Sequence, residues 1–357
     1  METRNQKLRQ LLVETRLDGL LVTDKASKYY LSSFRGTDVA LLYTLKDRFI
    51  IADRRYLVDI NQRVKGFIVI DNQGQMIQAL IDLVTEQQLL RLGIEGEHLT
   101  TSSYLSLKKA LKPACEIVST TELIASLRMI KDETEIKLMK KAAKLTDLAY
   151  EHCLSVVKEG MTEKDLALEI ELFIKKNGGD DCAFETIVAS GLRSALPHGH
   201  ATAKIIKRNE LITVDFGVVY QHYYSDMTRT FALGEVHEKL KEIYQVVKEA
   251  GELALAKIEI GITTGEVDQI CRSFIERAGY GDYFNHGTGH GLGLSCHEYP
   301  YLKADVTEKL QAGMTFTLEP GIYLPSFGGV RLEDDIYLNS QGKAEILTKS
   351  TREWMEL

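Results

Sequence analysis

The chain has 357 residues, with 44 Lys plus Arg against 51 Asp plus Glu, a formal charge of −7. At 44% hydrophobic and 27% charged it has ample material for buried cores, roughly two domains' worth of length, and no compositional case for disorder. The acidic balance, without a basic block, argues against nucleic acid or an anionic membrane as partner, since both demand clustered Lys and Arg. The five cysteines are odd in number, far apart and never spaced as a CxxC pair, so they read as reduced thiols. METRNQKLRQLL has no apolar core with a cleavage site, and no run of about 18 apolar residues follows. The expected setting is the cytoplasm.

In chain order, Leu8, Leu11 and Leu12 predict an amphipathic helix ending near Asp18-Gly19, and residues 20–23, 49–52 and 67–70 predict buried strands. Residues 1–125 therefore read as an α/β domain, and nothing in them reads as catalytic. Residues 126–357 read as an α+β domain of long helices followed by hairpins. Ile136, Met139, Ala143, Tyr150 and Val157 form a helical stripe. After Gly160 a second helix opens at Thr162 with the spacing of a capping box and stops at Gly178-Gly179. The pattern returns 101 residues later, with Gly261 matching Gly160 and Thr263 matching Thr162. His297 likewise matches His198, and each is followed by a hairpin carrying two acids. This predicts an internal pseudo-two-fold repeat whose halves face a shared site.

The polar residues of those hairpins carry the chemistry. Seven of the nine histidines fall between His198 and His297. LITVDFGVVY and HYYSDMTRTF, joined at Tyr220-Gln221, predict a hairpin with Asp215 and Asp226 nearly opposite each other. MTFTLEPGIYL and GGVRLEDDIYL predict a second, with Glu319 near Glu333 and Arg331 on the same face. Asp334 and Asp335 are alternative partners for Arg331, but its alternation with Glu333 favours the site. Acids in apolar strands demand cations. The glycines of HGTGHGLG oppose a helix, but an extended segment still puts His286 and His290 on one side. Asp215, Asp226, His290, Glu319 and Glu333 supply four carboxylates and an imidazole. Such a set balances two divalent cations and suits Mn²⁺ or a similar metal better than a thiolate zinc site. Hydrolysis is the chemistry implied, with His198 and His297 placed to assist an oxyanion or a leaving group.

The segments LPHG, VDFGVVYQHYYSDMTRTF, HGTGHGLG, HEYP, TLEPGIYLP and GGVRLEDD resemble the pita-bread metallopeptidases, the family of aminopeptidase P, prolidase and methionine aminopeptidase that also includes creatinase. The N-terminal region resembles the creatinase-type domain, which methionine aminopeptidases generally lack. The resemblance implies metal ligands at Asp215, Asp226, His290, Glu319 and Glu333, with Asp226 and Glu333 bridging. It implies Glu319 as proton acceptor, His198 and His297 as catalytic partners, and His286 and Arg331 as substrate-binding residues. It further implies a homodimer, a proline-containing peptide substrate, and Mn²⁺ in the site, with Co²⁺ or Zn²⁺ as alternatives. Aminopeptidase P and prolidase activities both fit, and a non-catalytic peptide-binding module is the alternative from another class. Three departures stand out. His222 occupies a turn position where the family usually has glycine, which predicts a reshaped hairpin tip, and Tyr299 and His200 are unusual neighbours of the site.

Overall fold

The computed structural model describes residues 2–357. The chain forms two compact units, one ending at Arg128 and the other spanning Met129–Leu357. Helix α6 (Leu123–Met129) carries the chain across the boundary, where the sequence had suggested a change at 126.

The first unit contains α1 (Glu2–Glu14), β1 (Gly19–Val22), α2 (Lys25–Ser32), β2 (Val39–Thr44), β3 (Arg48–Ala52), α3 (Arg54–Arg63), β4 (Ile68–Asp71), α4 (Met76–Glu86), β5 (Arg91–Glu95), α5 (Thr101–Leu111) and β6 (Glu116–Thr120). Its sheet has the order β4-β3-β2-β1-β5-β6. The β1–β2 and β2–β3 pairs are antiparallel, and the outer pairs are parallel. β1 and β2 are buried along their whole length. That burial explains their unbroken apolar runs, since a strand covered on both faces needs no alternation.

The second unit begins with α7 (Glu133–Val156) and α8 (Glu163–Lys176), then β7 (Asp181–Cys182), β8 (Ile187–Ser190), β9 (Glu210–Phe216), β10 (Val218–Tyr220), β11 (Tyr223–Tyr224) and β12 (Met227–Leu233). It continues with α9 (Glu238–Leu255), α10 (Thr264–Arg277), β13 (Gly289–Gly291), β14 (Glu298–Leu302), β15 (Thr315–Leu318), β16 (Gly321–Leu324), β17 (Gly328–Arg331), β18 (Asp334–Leu338) and β19 (Ala344–Ile346). The α7–α8 pair packs with β8, β9 and β12 around Ile170, Val214 and Phe231, and the α9–α10 pair packs with β15 and β18 around Val247, Phe316 and Ile336.

The repeat is visible in the backbone. Gly160 and Gly261 both take positive φ, 91° and 94°, a region that a side chain disfavours. Each N–H then bonds a carbonyl of a later segment, Ile206 and Leu310. Thr162 and Thr263 both close capping boxes, with Asp165 and Glu266.

The first acid-bearing hairpin departs from the simple ladder. β9 and β12 pair with Thr228 opposite Asp215 and Met227 opposite Phe216, so Asp226 lies just past the last paired residue. Beyond it the chain changes sheets, and β10 pairs with β11 and β7 instead. Gly217 makes the switch possible, because a Cβ there would sit 1.8 Å from the Ser225 carbonyl oxygen. The tip is not reshaped by His222. Gln221 and His222 take φ of 45° and 74°, a left-handed pair of the kind a two-residue hairpin turn needs.

Candidate metal centre

Strand ends and junctions bring the acids together. Asp215 ends β9 with Phe216, Asp226 precedes β12, Glu319 follows β15, and Glu333 sits between β17 and β18. His290 is the middle residue of β13. These five, with His198, His286, His297 and Arg331, line one cavity of about 390 Å³. Asp226, His290 and Glu333 each offer a ligand atom within 4.8 Å of the others. His290 Nε2 lies 3.7 Å from Asp226 Oδ2 and 3.6 Å from Glu319 Oε1. Asp226 and Glu333 are 4% and 2% exposed. Burial, then the charges of their neighbours, drives both carboxyls well above the usual range, and burial raises Glu319 as well.

The donor set fits divalent cations on three counts. Asp215 Oδ1 and Asp226 Oδ1 are buried without a hydrogen-bond partner, which a native interior rarely tolerates unless an ion or water completes the site. Four acids converge with little compensating positive charge. His290 Nδ1 lies 3.1 Å from the Gly291 carbonyl, so it carries the proton and leaves the Nε2 lone pair facing the acids. Burial also depresses the His290 pKa, which favours the neutral ligand form.

Arg331 does not pair with Asp334 or Asp335. Its Nη2 donates to Asp215 Oδ2 at 2.6 Å, Nη1 to Tyr323 Oη at 2.8 Å and to the Pro197 carbonyl at 3.1 Å, and Nε to Thr228 Oγ1 at 3.0 Å. Asp334 is taken by Arg229 instead, at 2.6 Å. Tyr323 Oη is also 2.9 Å from His286 Nε2, and His286 Nδ1 is 2.7 Å from the Gly287 carbonyl. The tautomer follows: Nδ1 donates to Gly287, so Nε2 accepts from Tyr323, which in turn accepts from Arg331. His286 is held neutral chiefly by burial. Desolvation and the neighbouring His290 push His297 down to about 4, so its ring is uncharged at neutral pH.

The departures sit outside the ligand set. His200 lines the cavity with its Nδ1 3.7 Å from Glu185. Tyr299 packs edge-on to Tyr301, which lines the cavity, and the His222 N–H reaches Asp180.

Sequence reasoning missed the supporting residues. Thr228 donates to Glu333 Oε2 at 2.5 Å, and strand alternation two residues past Asp226 was the available signal. Glu163, fully buried at the start of α8, accepts from Ser190, Arg193 and Thr202, and so ties down the segment that carries His198. In the other half, Asp268 accepts from the Thr288 N–H and from Arg272, whose guanidinium also holds the His286 carbonyl. Both acids follow a helix cap and read in sequence as ordinary surface residues.

Comparison with known proteins gives the family. Residues 137–340 match the model of metallopeptidase family M24, and residues 4–130 match the creatinase/prolidase N-terminal domain. The chain belongs to the M24 metallopeptidases. It is 36% identical to the Xaa-Pro dipeptidase of Pyrococcus horikoshii over 99% of both chains. Among solved structures, the Xaa-Pro dipeptidase from Bacillus anthracis superposes with a TM-score of 0.97 at 42% identity, covering 100% of this chain and 99% of that one. The X-Pro aminopeptidase from Thermotoga maritima gives 0.89 at 34% identity, covering 98% and 100%. The M24 enzyme thus carries a creatinase-type N-terminal domain and a pita-bread C-terminal domain.

Proposed function

We propose that this M24 enzyme hydrolyses the peptide bond preceding proline, with Xaa-Pro dipeptides as its preferred substrates and short peptides beginning Xaa-Pro as the second class. The dipeptide reading is supported by relatives named Xaa-Pro dipeptidase, and the second class by the relative named X-Pro aminopeptidase. A bond to proline is a tertiary amide lacking an N–H, so a dedicated site is required.

The observation that carries the reading is the convergence of Asp215, Asp226, His290, Glu319 and Glu333 on one cavity, with buried carboxylate oxygens lacking partners. These residues would hold two divalent cations, and the oxygen-rich set with one imidazole favours Mn²⁺, with Co²⁺ or Zn²⁺ as substitutes. Bound there, the cations would supply Lewis acidity toward the scissile carbonyl and lower the pKa of water.

The side chains account for the remaining steps. Glu319, the least buried of the four acids, takes the proton of the attacking water and passes it toward the proline nitrogen. His198 and His297, both exposed on the cavity side, donate hydrogen bonds to the developing oxyanion and the departing amine. His286 faces the substrate, its ring fixed by Tyr323 and Gly287. Arg331 orients Asp215 and, through the Pro197 carbonyl, the neighbouring His198, while its own position on the cavity wall contacts substrate.

A homodimer in the cytoplasm completes the proposal. The five free cysteines suit a reducing compartment, and among the described residues no helix is long and apolar enough to cross a membrane. Initial rates on Xaa-Pro against Xaa-Pro-Xaa peptides, with Mn²⁺ present, test the substrate reading. Faster turnover of the dipeptides is expected, and no cleavage of either series would refute it.

A further inference from the structure

A second layer of polar contacts lies behind the metal ligands, on side chains that do not line the cavity. Arg229 follows Thr228 in β12, so its side chain leaves the opposite face of the strand. It is 1% exposed, and all five of its N–H donors are placed. Nη1 reaches the carbonyls of Thr228 at 3.0 Å and Glu333 at 2.5 Å. Nη2 reaches Asp334 Oδ1 at 2.6 Å and the Ser350 carbonyl at 2.7 Å, and Nε the Thr351 carbonyl at 3.0 Å. One side chain therefore joins the backbone of a metal ligand to the C-terminal segment.

Asp335 plays the matching part for Asp226, whose N–H lies 3.1 and 3.2 Å from its two carboxylate oxygens. The same C-terminal segment secures Asp335. The Leu347 N–H donates to its carbonyl at 2.8 Å, and Thr348 Oγ1 accepts its N–H at 3.2 Å while donating to Asp334 Oδ1 at 2.8 Å. The segment is pinned to α7 in turn. Asp147 accepts from the Lys349 N–H at 2.8 Å and from the Ser350 N–H and Oγ at 2.7 Å.

Asp226 and Glu333 are buried acids whose carboxylates repel each other once both ionise, as binding of cations would require. Among the described residues each carboxylate has a single side-chain donor, Cys296 for Asp226 and Thr228 for Glu333. The backbone anchors carry the rest of the restraint. We infer that Arg229 and residues 347–351 form a clamp that sets the positions of Asp226 and Glu333, so that metal affinity depends on the C-terminal segment. The inference rests on the two-metal reading above, and Arg229 and Asp147 act as positioning residues.

The test uses Co²⁺ as probe on the full chain, by titration calorimetry and by visible absorption of the loaded protein. Asp147→Ala, which removes no ligand and no ligand contact, is expected to weaken Co²⁺ binding by up to about tenfold, the lower end of what losing a ligand's own hydrogen-bond partner costs, and to alter the d–d bands. Arg229→Lys should weaken it further, up to about 100-fold. Asp147→Asn, which keeps one acceptor oxygen, should recover part of the affinity. Should Arg229→Lys fail to fold, the Asp147 pair decides alone. Wild-type affinity and spectrum in Asp147→Ala, with only a lowered melting temperature, would overturn the clamp. A wild-type protein that takes up no Co²⁺ would overturn the two-metal reading and the clamp together.

Discussion

Glu163 offers a sharp test of how the His198 segment is held. Its carboxylate is fully buried and accepts from the Ser190 N–H and Oγ at 2.9 Å, the Thr202 N–H at 3.1 Å and Oγ1 at 2.7 Å, and Arg193 Nε at 3.0 Å. Ser190 and Thr202 bracket His198. Replacing Glu163 with Ala leaves the buried Ser190 N–H without its acceptor, at about 1–3 kcal/mol, and strips the charge partner from Arg193. Arg193 is partly exposed and can turn to water, which holds the total to about 3–5 kcal/mol. In a unit of this size each kcal/mol moves the melting temperature by roughly 2–4 °C, so Glu163→Ala should melt about 6–20 °C lower. The freed segment should also lose its catalytic placement, lowering kcat for an Xaa-Pro dipeptide by up to about 100-fold with a smaller change in KM. Differential scanning calorimetry and steady-state kinetics on metal-loaded protein read both effects. A melting temperature within 2 °C of wild type, at about 1 kcal/mol or less, would refute the energetic argument. A large drop in melting temperature with unchanged kcat would refute the link to His198.

Three other perturbations probe different parts of the site. Tyr323→Phe removes the hydroxyl shared by Arg331 and His286, and kinetics should show kcat/KM reduced about tenfold with the fold intact; an unchanged value would show that the relay does not matter. Gly217→Ala pushes a Cβ into the Ser225 carbonyl oxygen, and chemical denaturation should show a loss of about 1–3 kcal/mol together with weaker metal uptake, whereas wild-type stability would contradict the sheet switch. The third perturbation combines chelation with pH. Without metal, Asp226, Glu319 and Glu333 titrate above their ordinary values, so the native state holds more protons than the unfolded chain above about pH 4. Stability of the stripped protein therefore falls as pH rises through that window. EDTA should lower the melting temperature more at pH 8 than at pH 5.5, and an equal or reversed gap would count against the buried acids as its cause.

What sequence could disclose followed the range of the interaction. The caps at Thr162 and Thr263 are local hydrogen bonds three residues long, and they were legible with their repeat. The acids of the cavity were legible because a carboxylate inside ITVDFG or FTLEPG has no solvent explanation. Gly93 interrupts β5 and β6 is partly exposed, which hid both, whereas β2 is an apolar run like β1 and was legible in principle though passed over. The partner of Arg331 was equally hidden. Asp334 and Asp335 stand nearby in sequence, but the strand pairing delivers Asp215, and Arg229 satisfies Asp334. The hairpin tip was misjudged because a non-glycine residue can occupy left-handed φ when the flanking strands require it, as His222 does.

Whether the cavity lined by Asp215, Asp226, His290, Glu319 and Glu333 hydrolyses bonds to proline is decided by incubating Mn²⁺-reconstituted protein, with its metal content measured at two equivalents, with Ala-Pro and Ala-Ala. Release of free proline from Ala-Pro, with Ala-Ala left intact, is the predicted result. Two bound equivalents with no cleavage of Ala-Pro would contradict it.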